Sequence, residues 1–400
     1  MNILFMTASC LEGMAEHGVY TDLLRRLRDH GHAVYTLSPY EKRLNRPTAC
    51  MDDQGVRMLH VQTGNLTKTA NLIERGFATL QVERIFIRAI KHYYADIRFD
   101  LVLYSTPPIT LSSVVAYVKR RDHARSYLLL KDIFPQNAVD LGMLTKRGVK
   151  GLLYRVFRYQ EKRLYALSDR IGCMSPANAA YLTAHNPQID PQRVEVCPNA
   201  VEVIDRSVDA VQRQAIRARY GIPQEAKVFV FGGNLGKPQG IDFMLSCLRA
   251  TQDLEAYFLI IGSGTEYAKV AAVIEREDLR RVRLMQRIPK ADYDAMVGAC
   301  DVGLLFLDHR FTVPNFPSRL LAYMQAKLPV LAVTDQSCDI RVALTEGQFG
   351  WWCESNDAER FCALVQEILH TDLRPMQENA FAYLRAHYDI ETACQTILHE

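Results

Sequence analysis

Apolar and polar positions alternate along this chain with two periods. Short, nearly continuous apolar runs near 2–7, 33–37, 56–61, 99–104, 126–131, 170–174 and 193–197 predict strands. Leu101-Val102-Leu103-Tyr104 and Tyr127-Leu128-Leu129-Leu130 are apolar throughout, as strands covered on both faces of a parallel sheet should be. Longer stretches of helical period lie between them. The first starts near Gly18, puts Val19, Leu23 and Leu27 on one face, and stops at Gly31. The alternation restarts after the polar stretch Asp205–Gln224. A strand is predicted at 227–231, then a glycine-rich turn, a helix from about Ile241, and strands at 257–261, 282–284, 302–306 and 330–333. This pattern predicts an α/β fold of two Rossmann-like domains facing a central cleft, since ligands of such sheets bind outside the carboxyl ends of the strands. The expected boundaries are 1–200, 201–375, and a C-terminal helical segment, 376–400, packing back toward the first domain.

Composition narrows the class. With 48% hydrophobic and 23% charged residues over 400 positions, the chain reads as an ordinary folded globule. No apolar run approaches the roughly 20 residues that span a bilayer. The start, MNILFMTASC, lacks a basic n-region and reads as a first strand rather than a signal peptide, and the scattered cysteines fit buried free thiols in a reducing cytoplasm. A net charge of +3 excludes strong global attraction to nucleic acid. Ten cysteines without a CxxC pair and eleven histidines without HExxH argue against a disulfide framework or structural zinc. Charge is uneven, however: 146–170 holds eight Lys and Arg against two acids. There Val149, Leu153, Val156, Leu164 and Leu167 share one helical face, opposite Arg155, Arg158 and Lys162. Such a helix could rest on anionic lipid or be a core helix with a solvated basic face.

Candidate chemistry gathers at predicted strand ends. Phe231-Gly232-Gly233-Asn234-Leu235-Gly236-Lys237-Pro238-Gln239-Gly240 follows a strand and opens a helix, so free N–H groups and the helix dipole can hold an anion. Pro238 excludes a P-loop, and the spacing is not GxGxxG. The same residues also suit a tight turn that uses glycine for backbone freedom. Ile261-Gly262-Ser263-Gly264 permits close approach of a flat or phosphorylated ligand, or is again a turn. Arg287-Ile288-Pro289 could offer backbone groups to a nucleobase. In Phe316-Pro317-Ser318-Arg319-Leu320-Leu321, Ser318 can cap a helix, whose first amides, with the permanent cation of Arg319, suit a phosphate. In the first half, Asp132 ends a strand, where a carboxylate can orient a hydroxyl, act as base or merely cap the next turn. His17-Gly18 at the first helix start has the same ambiguity.

Taken in order, these pieces resemble GT-B glycosyltransferases of family 4, especially bacterial O-antigen and capsule enzymes. His17-Gly18-Val19 through Gly31-His32-Ala33-Val34 is similar to the family's first helix and "rGHeV" strand. Asp132-Ile133-Phe134-Pro135 with Ala138 and Leu141-Gly142 is similar to "DifPesavalG", and Pro198-Asn199-Ala200-Val201-Glu202 to "PNgvD". Gly233-Asn234-Leu235-Gly236, Gln239-Gly240, Gly262-Ser263-Gly264 and Pro317-Ser318-Arg319-Leu320 follow in family order.

The resemblance implies a retaining transferase, without cofactor or catalytic metal, moving a sugar from a nucleotide sugar (UDP-linked favoured) to a hydroxyl of a lipid-linked glycan in surface polysaccharide synthesis. It places the nucleotide on the second domain and the acceptor on the first. Asp132, Arg319 and Lys237 would then be catalytic. His17, Gly18, Gly233, Asn234, Leu235, Gly236, Gln239, Gly262, Gly264, Arg287, Pro289, Ser318 and Leu320 would contact substrate. Its partners would be the donor, a polyprenyl-diphosphate-linked acceptor and an anionic membrane surface through 146–170, at the inner face of the cell membrane. Asn234 and Gln239 stand where much of the family has Arg and Lys. Two family glutamates fall on Pro314 and Ala322, with Glu346 a possible substitute. A nucleotide-sugar 2-epimerase of the same architecture and a non-catalytic binding subunit are the competing readings. A dehydrogenase lacks the glycine spacing it needs.

Overall fold

A computed structural model describes residues 1–66 and 72–399, side chains 72–80 excepted. The chain divides into two compact units, Met1–Glu202 with Ile390–Glu400, and Val203–Asp389.

In chain order the first unit contains β1 (Asn2–Met6), α1 (Val19–Asp29), β2 (Ala33–Glu41), β3 (Ala49–Asp53), β4 (Val56–Thr63), α2 (Leu72–Tyr93), β5 (Leu101–Ser105), α3 (Ser112–Asp122), β6 (Arg125–Leu130), α4 (Gln136–Asp140), α5 (Gly148–Leu167), β7 (Arg170–Cys173), α6 (Pro176–His185) and β8 (Val194–Val196). Its sheet order is β3-β4-β2-β1-β5-β6-β7-β8. All pairs are parallel except β3 with β4. Strand order reverses at β1, whose neighbours are β2 and β5, so the crevice at its carboxyl end opens between connections that leave in opposite directions.

The second unit contains α7 (Ala210–Arg219), β9 (Lys227–Asn234), α8 (Ile241–Ala250), β10 (Ala256–Ser263), α9 (Tyr267–Arg276), β11 (Val282–Met285), α10 (Lys290–Gly298), β12 (Val302–Phe306), α11 (Arg319–Gln325), β13 (Val330–Thr334), α12 (Ile340–Gly347), β14 (Gly350–Glu354), α13 (Ala358–His370) and α14 (Arg374–His387). Its sheet, β11-β10-β9-β12-β13-β14, is parallel throughout and reverses at β9. The polar stretch 205–224 is part of this unit. Arg217 of α7 is fully buried, bridges Asp301 at 2.7 Å, and donates to the carbonyls of Ala299, Pro223, Gln224 and Ala226. Asp301 in turn accepts the N–H of Val228 at 2.7 Å, which ties β9 to the start of β12.

The C-terminal return is shorter than 376–400. Helix α14 belongs to the second unit, where Tyr383 lies 5.2 Å from Phe349 and Tyr388 lies 5.8 Å from Phe316, ring to ring. Only α15 (Ile390–Leu398) joins the first unit. There Ile390, Ala393, Cys394, Ile397 and Leu398 enter one core with Leu23, Leu24, Leu27 and Phe5. The ten cysteines are free thiols, seven of them buried.

Candidate active site

The second unit concentrates its candidate chemistry at the end of β9. The buried run Val228–Phe231 carries the chain up the sheet centre, and β9 continues through Gly232, Gly233 and Asn234 in register with β10. A Cβ on Gly232 would lie 1.9 Å from the Tyr293 hydroxyl of α10. At Gly233 φ is +131°, and a Cβ there would sit 3.4 Å from Nη2 of Arg319. The guanidinium of Arg319 therefore closes over β9, 4.3 Å from the Phe231 ring centroid. Its Nη1 is buried without a hydrogen-bond partner among the described residues. Burial lowers its pKa, against the pull of Tyr323 and Tyr293. A buried, incompletely paired cation is costly by itself, and an anion laid against it removes that cost.

The loop after β9 is braced by its own side chains. Gln239 Oε1 accepts from Gly236 N–H at 3.2 Å and from Asn234 Nδ2 at 3.3 Å, so this pair stiffens the loop where the family's Arg and Lys would stand. Lys237 opens a single 3-10 turn, exposed, and Gly240 turns the chain into α8 with φ +57°. Asp308, just past β12, donates its N–H to Pro238 O at 3.0 Å. Burial raises its carboxyl, but the Arg310 pair at 2.7 Å outweighs that and holds it below the usual range. Sequence reasoning missed Asp308 and Tyr293, whose relevance comes only from their neighbours.

Several expected ligand contacts are redirected. Leu235 is fully buried and its N–H goes to Ser263 O at 2.9 Å, leaving it no donor for substrate. Gly262 and Gly264 admit the chain itself: their Cβ positions lie 1.9 Å from Gly233 O and 2.2 Å from Leu235 O. Ser318 makes no side-chain cap. Leu320 is buried with its N–H on Pro317 O, and Leu321 N–H is on Ser318 O. The main-chain donors left at that helix start are Ser318 and Arg319. Arg287 is exposed beyond the edge strand β11, while Pro289 accepts Tyr293 N–H at 2.9 Å and so anchors the turn that carries Tyr293. Glu346 does not replace the missing glutamates. It lies exposed in the last turn of α12, which returns to the amino ends of the strands, and accepts from the Tyr383 hydroxyl at 3.3 Å.

In the first unit, Asp132 follows β6 on the face toward α5. Its Oδ1 accepts Asn137 Nδ2 at 2.7 Å, and it caps no helix, because Pro135 stands at the start of α4. Burial raises its carboxyl to about 6, opposed by Asn137 and the Ile133 N–H and reinforced by Glu161. Asn137 Oδ1 is buried without a partner among the described residues. A carboxyl near 6 changes protonation close to neutral pH, as a general base should. Lys131, on the opposite face of the strand, is drawn by burial down to about 8. A lysine ending an apolar strand was the available signal, and it was missed.

His17 and Gly18 follow β1. Gly18 N–H donates to Asp22 Oδ1 at 3.0 Å, and its extended φ shows no need for glycine. His17 Nδ1 lies 3.3 Å from Glu202 and 3.4 Å from Asp22, spacing that would suit a cation. Arg25 already takes the centre, reaching His17 at 3.0 Å, Glu202 at 3.0 Å, Asp22, and the carbonyls of Met14 and Glu16. The cluster is an ion-pair network that fixes α1 against the segment leaving β8.

Residues 17–200 match the glycosyl transferase 4-like domain and residues 212–385 match glycosyl transferases group 1. The chain is a GT-B glycosyltransferase. It is 28% identical over 302 residues to the Pseudomonas aeruginosa protein named "Probable glycosyltransferase WbjE", covering 76% of this chain and 74% of that one. Among solved structures it is similar to sucrose-phosphate synthase of Thermosynechococcus elongatus (TM-score 0.76, 16% identity, 100% and 97% of the two chains). It is also similar to Anabaena HepE in complex with UDP-glucose (0.70, 15%, 100% and 98%) and to WaaG, a glycosyltransferase involved in lipopolysaccharide biosynthesis (0.66, 15%, 100% and 100%). At these identities the structures show the shared fold. The two domain matches and the WbjE relative show a glycosyltransferase.

Proposed function

We propose that this glycosyltransferase moves a sugar from a UDP-linked donor to a hydroxyl of a lipid-linked glycan, with retention of configuration. The carrying observation is the buried, unpartnered Nη1 of Arg319 beside Gly233. Breaking the bond between sugar and diphosphate builds negative charge on the leaving phosphate. A preorganised guanidinium, the N–H groups of Ser318 and Arg319, and the exposed Lys237 are suited to stabilise that charge in the transition state. Asp132 is suited to orient the acceptor hydroxyl or accept its proton once ionised. HepE, a structural neighbour, has been captured with UDP-glucose, which favours UDP as the base and diphosphate held here. Among the described residues no helix is long and apolar enough to cross a membrane, so a lipid-linked acceptor would be met at a surface.

The test is a nucleotide panel followed by thermal denaturation. UDP should raise the melting temperature more than GDP or ADP, and the increase should be far smaller in Arg319→Met. Equal response to all three nucleotides would remove the UDP assignment. Product formed from UDP-sugar only when a lipid-diphosphate glycan is added would support the acceptor class; an epimerised donor without acceptor would refute transfer as the reaction.

A further inference from the structure

An amphipathic helix in a folded domain normally buries its apolar face. Helix α5 exposes part of its own. Val149 is 90% exposed, Leu152 65%, Leu153 45%, Val156 49% and Tyr159 66%. At about 100° per residue these five positions form one stripe along the first three turns. They are five of the eleven large hydrophobic residues exposed among those described, so the clustering is not the usual scatter of single apolar side chains. The helix is held to its domain by the other side: Gly151, Glu161, Leu164 and Tyr165 are buried, and Gln160 Oε1 accepts from the Ser112 hydroxyl of α3 at 3.3 Å.

Charge selects the occupant. Lys146, Arg147, Lys150, Arg155 and Lys162 are exposed around the stripe. The one acid of the helix, Glu161, is turned inward and satisfied by Arg158 and by Tyr165 at 2.8 Å. Arg158 is not a surface cation as its helical position suggests, since it also donates to Asn186 Oδ1 at 2.6 Å and His185 O at 3.0 Å. An apolar stripe bordered by cations with no exposed acid repels a second copy of itself. It complements a surface that is apolar within and anionic at its edge.

We infer that α5 lies in the headgroup boundary of an anionic bilayer, with Val149, Leu152, Leu153, Val156 and Tyr159 inserted and the surrounding cations on lipid phosphates. The inference rests on the lipid-linked acceptor reading for its purpose, but not for its test. The full chain is floated with phosphatidylcholine vesicles, with and without phosphatidylglycerol, in the absence of donor and acceptor. The expected result is binding to the anionic vesicles alone, weakened by salt. Lys150→Gln with Arg155→Gln should weaken it about fivefold per cation removed. Leu152→Asp with Val156→Asp should abolish it at any salt, with an unchanged melting temperature because both side chains already face solvent. Transfer to a soluble acceptor analogue should also be unchanged in that variant, which separates docking from catalysis. Failure of the native chain to float with anionic vesicles, or equal flotation of the aspartate variant, would overturn the inference. So would a dimer, measured by sedimentation, that the aspartate variant dissociates.

Discussion

Replacing Arg319 with methionine should change folding and binding in opposite directions. In the ligand-free protein the guanidinium has a buried Nη1 without a partner, and burial lowers its pKa. Leaving such a group unsatisfied costs about 1–3 kcal/mol. Its position 4.3 Å from the Phe231 centroid returns about 0.5–2 kcal/mol as a cation–π contact. The net is a liability of about 1 kcal/mol. Methionine keeps most of the volume and removes the charge, so the free protein should gain that amount. For a unit the size of Val203–Asp389 this raises its melting temperature by about 2–4 °C. The nucleotide should then stabilise the variant far less than the native chain. Turnover should fall by about 100- to 1000-fold, the loss seen when one preorganised donor is removed from a developing charge. Thermal denaturation with and without UDP, alongside initial rates, reads all three effects. A variant that melts lower than the native protein and still responds fully to UDP would refute the reasoning, because Arg319 would then be a structural cation and another group would hold the diphosphate.

Asp132→Asn should reduce turnover and leave the UDP-induced thermal shift intact, and the native rate should climb with pH to a plateau above about 6. Its stability signature has a defined sign. A carboxyl raised from 3.8 to about 6 in the folded state penalises folding once ionised, so the asparagine variant should gain nothing below about pH 4 and reach its full advantage above about 6. Denaturant titration across that range checks this, and a pH-independent difference would show the carboxyl to be as solvated folded as unfolded. Gly262→Ala should destabilise by about 3 kcal/mol, because its Cβ would meet the Gly233 carbonyl, and backbone in a paired strand cannot swing aside. Urea denaturation showing native stability would mean that β9 and β10 separate more easily than their register suggests. Arg217→Ala should cost about 3–5 kcal/mol, measured in the same way, because it takes the donor from four carbonyls and leaves Asp301 with Arg213 at 2.6 Å as its one ion-pair partner among the described residues; a loss below about 1 kcal/mol would mean that water replaces the guanidinium.

The sequence by itself determined the layers. Parallel strands buried on both faces must be apolar in continuous runs, so Leu101–Tyr104 and Tyr127–Leu130 were legible without any partner strand. Strands lacking that composition were not: β3 reads Ala-Cys-Met-Asp-Asp and survives as an antiparallel edge, and β14 is completed by pairing with β13. The sequence also offered Asp132 and Arg319 as candidates through the motifs around them, although Asp132 read equally as a cap of the next turn. What it could not decide was where each main-chain donor and each glycine points. Leu235 and Leu320 sit inside the right motifs, but their N–H groups are taken by Ser263 and Pro317. Gly262 makes room for a neighbouring strand, and α5 turns half of its apolar face to solvent. Periodicity records only that a face is apolar. Whether protein or another apolar phase covers that face depends on atoms far away in the chain, so only the tertiary structure could answer it.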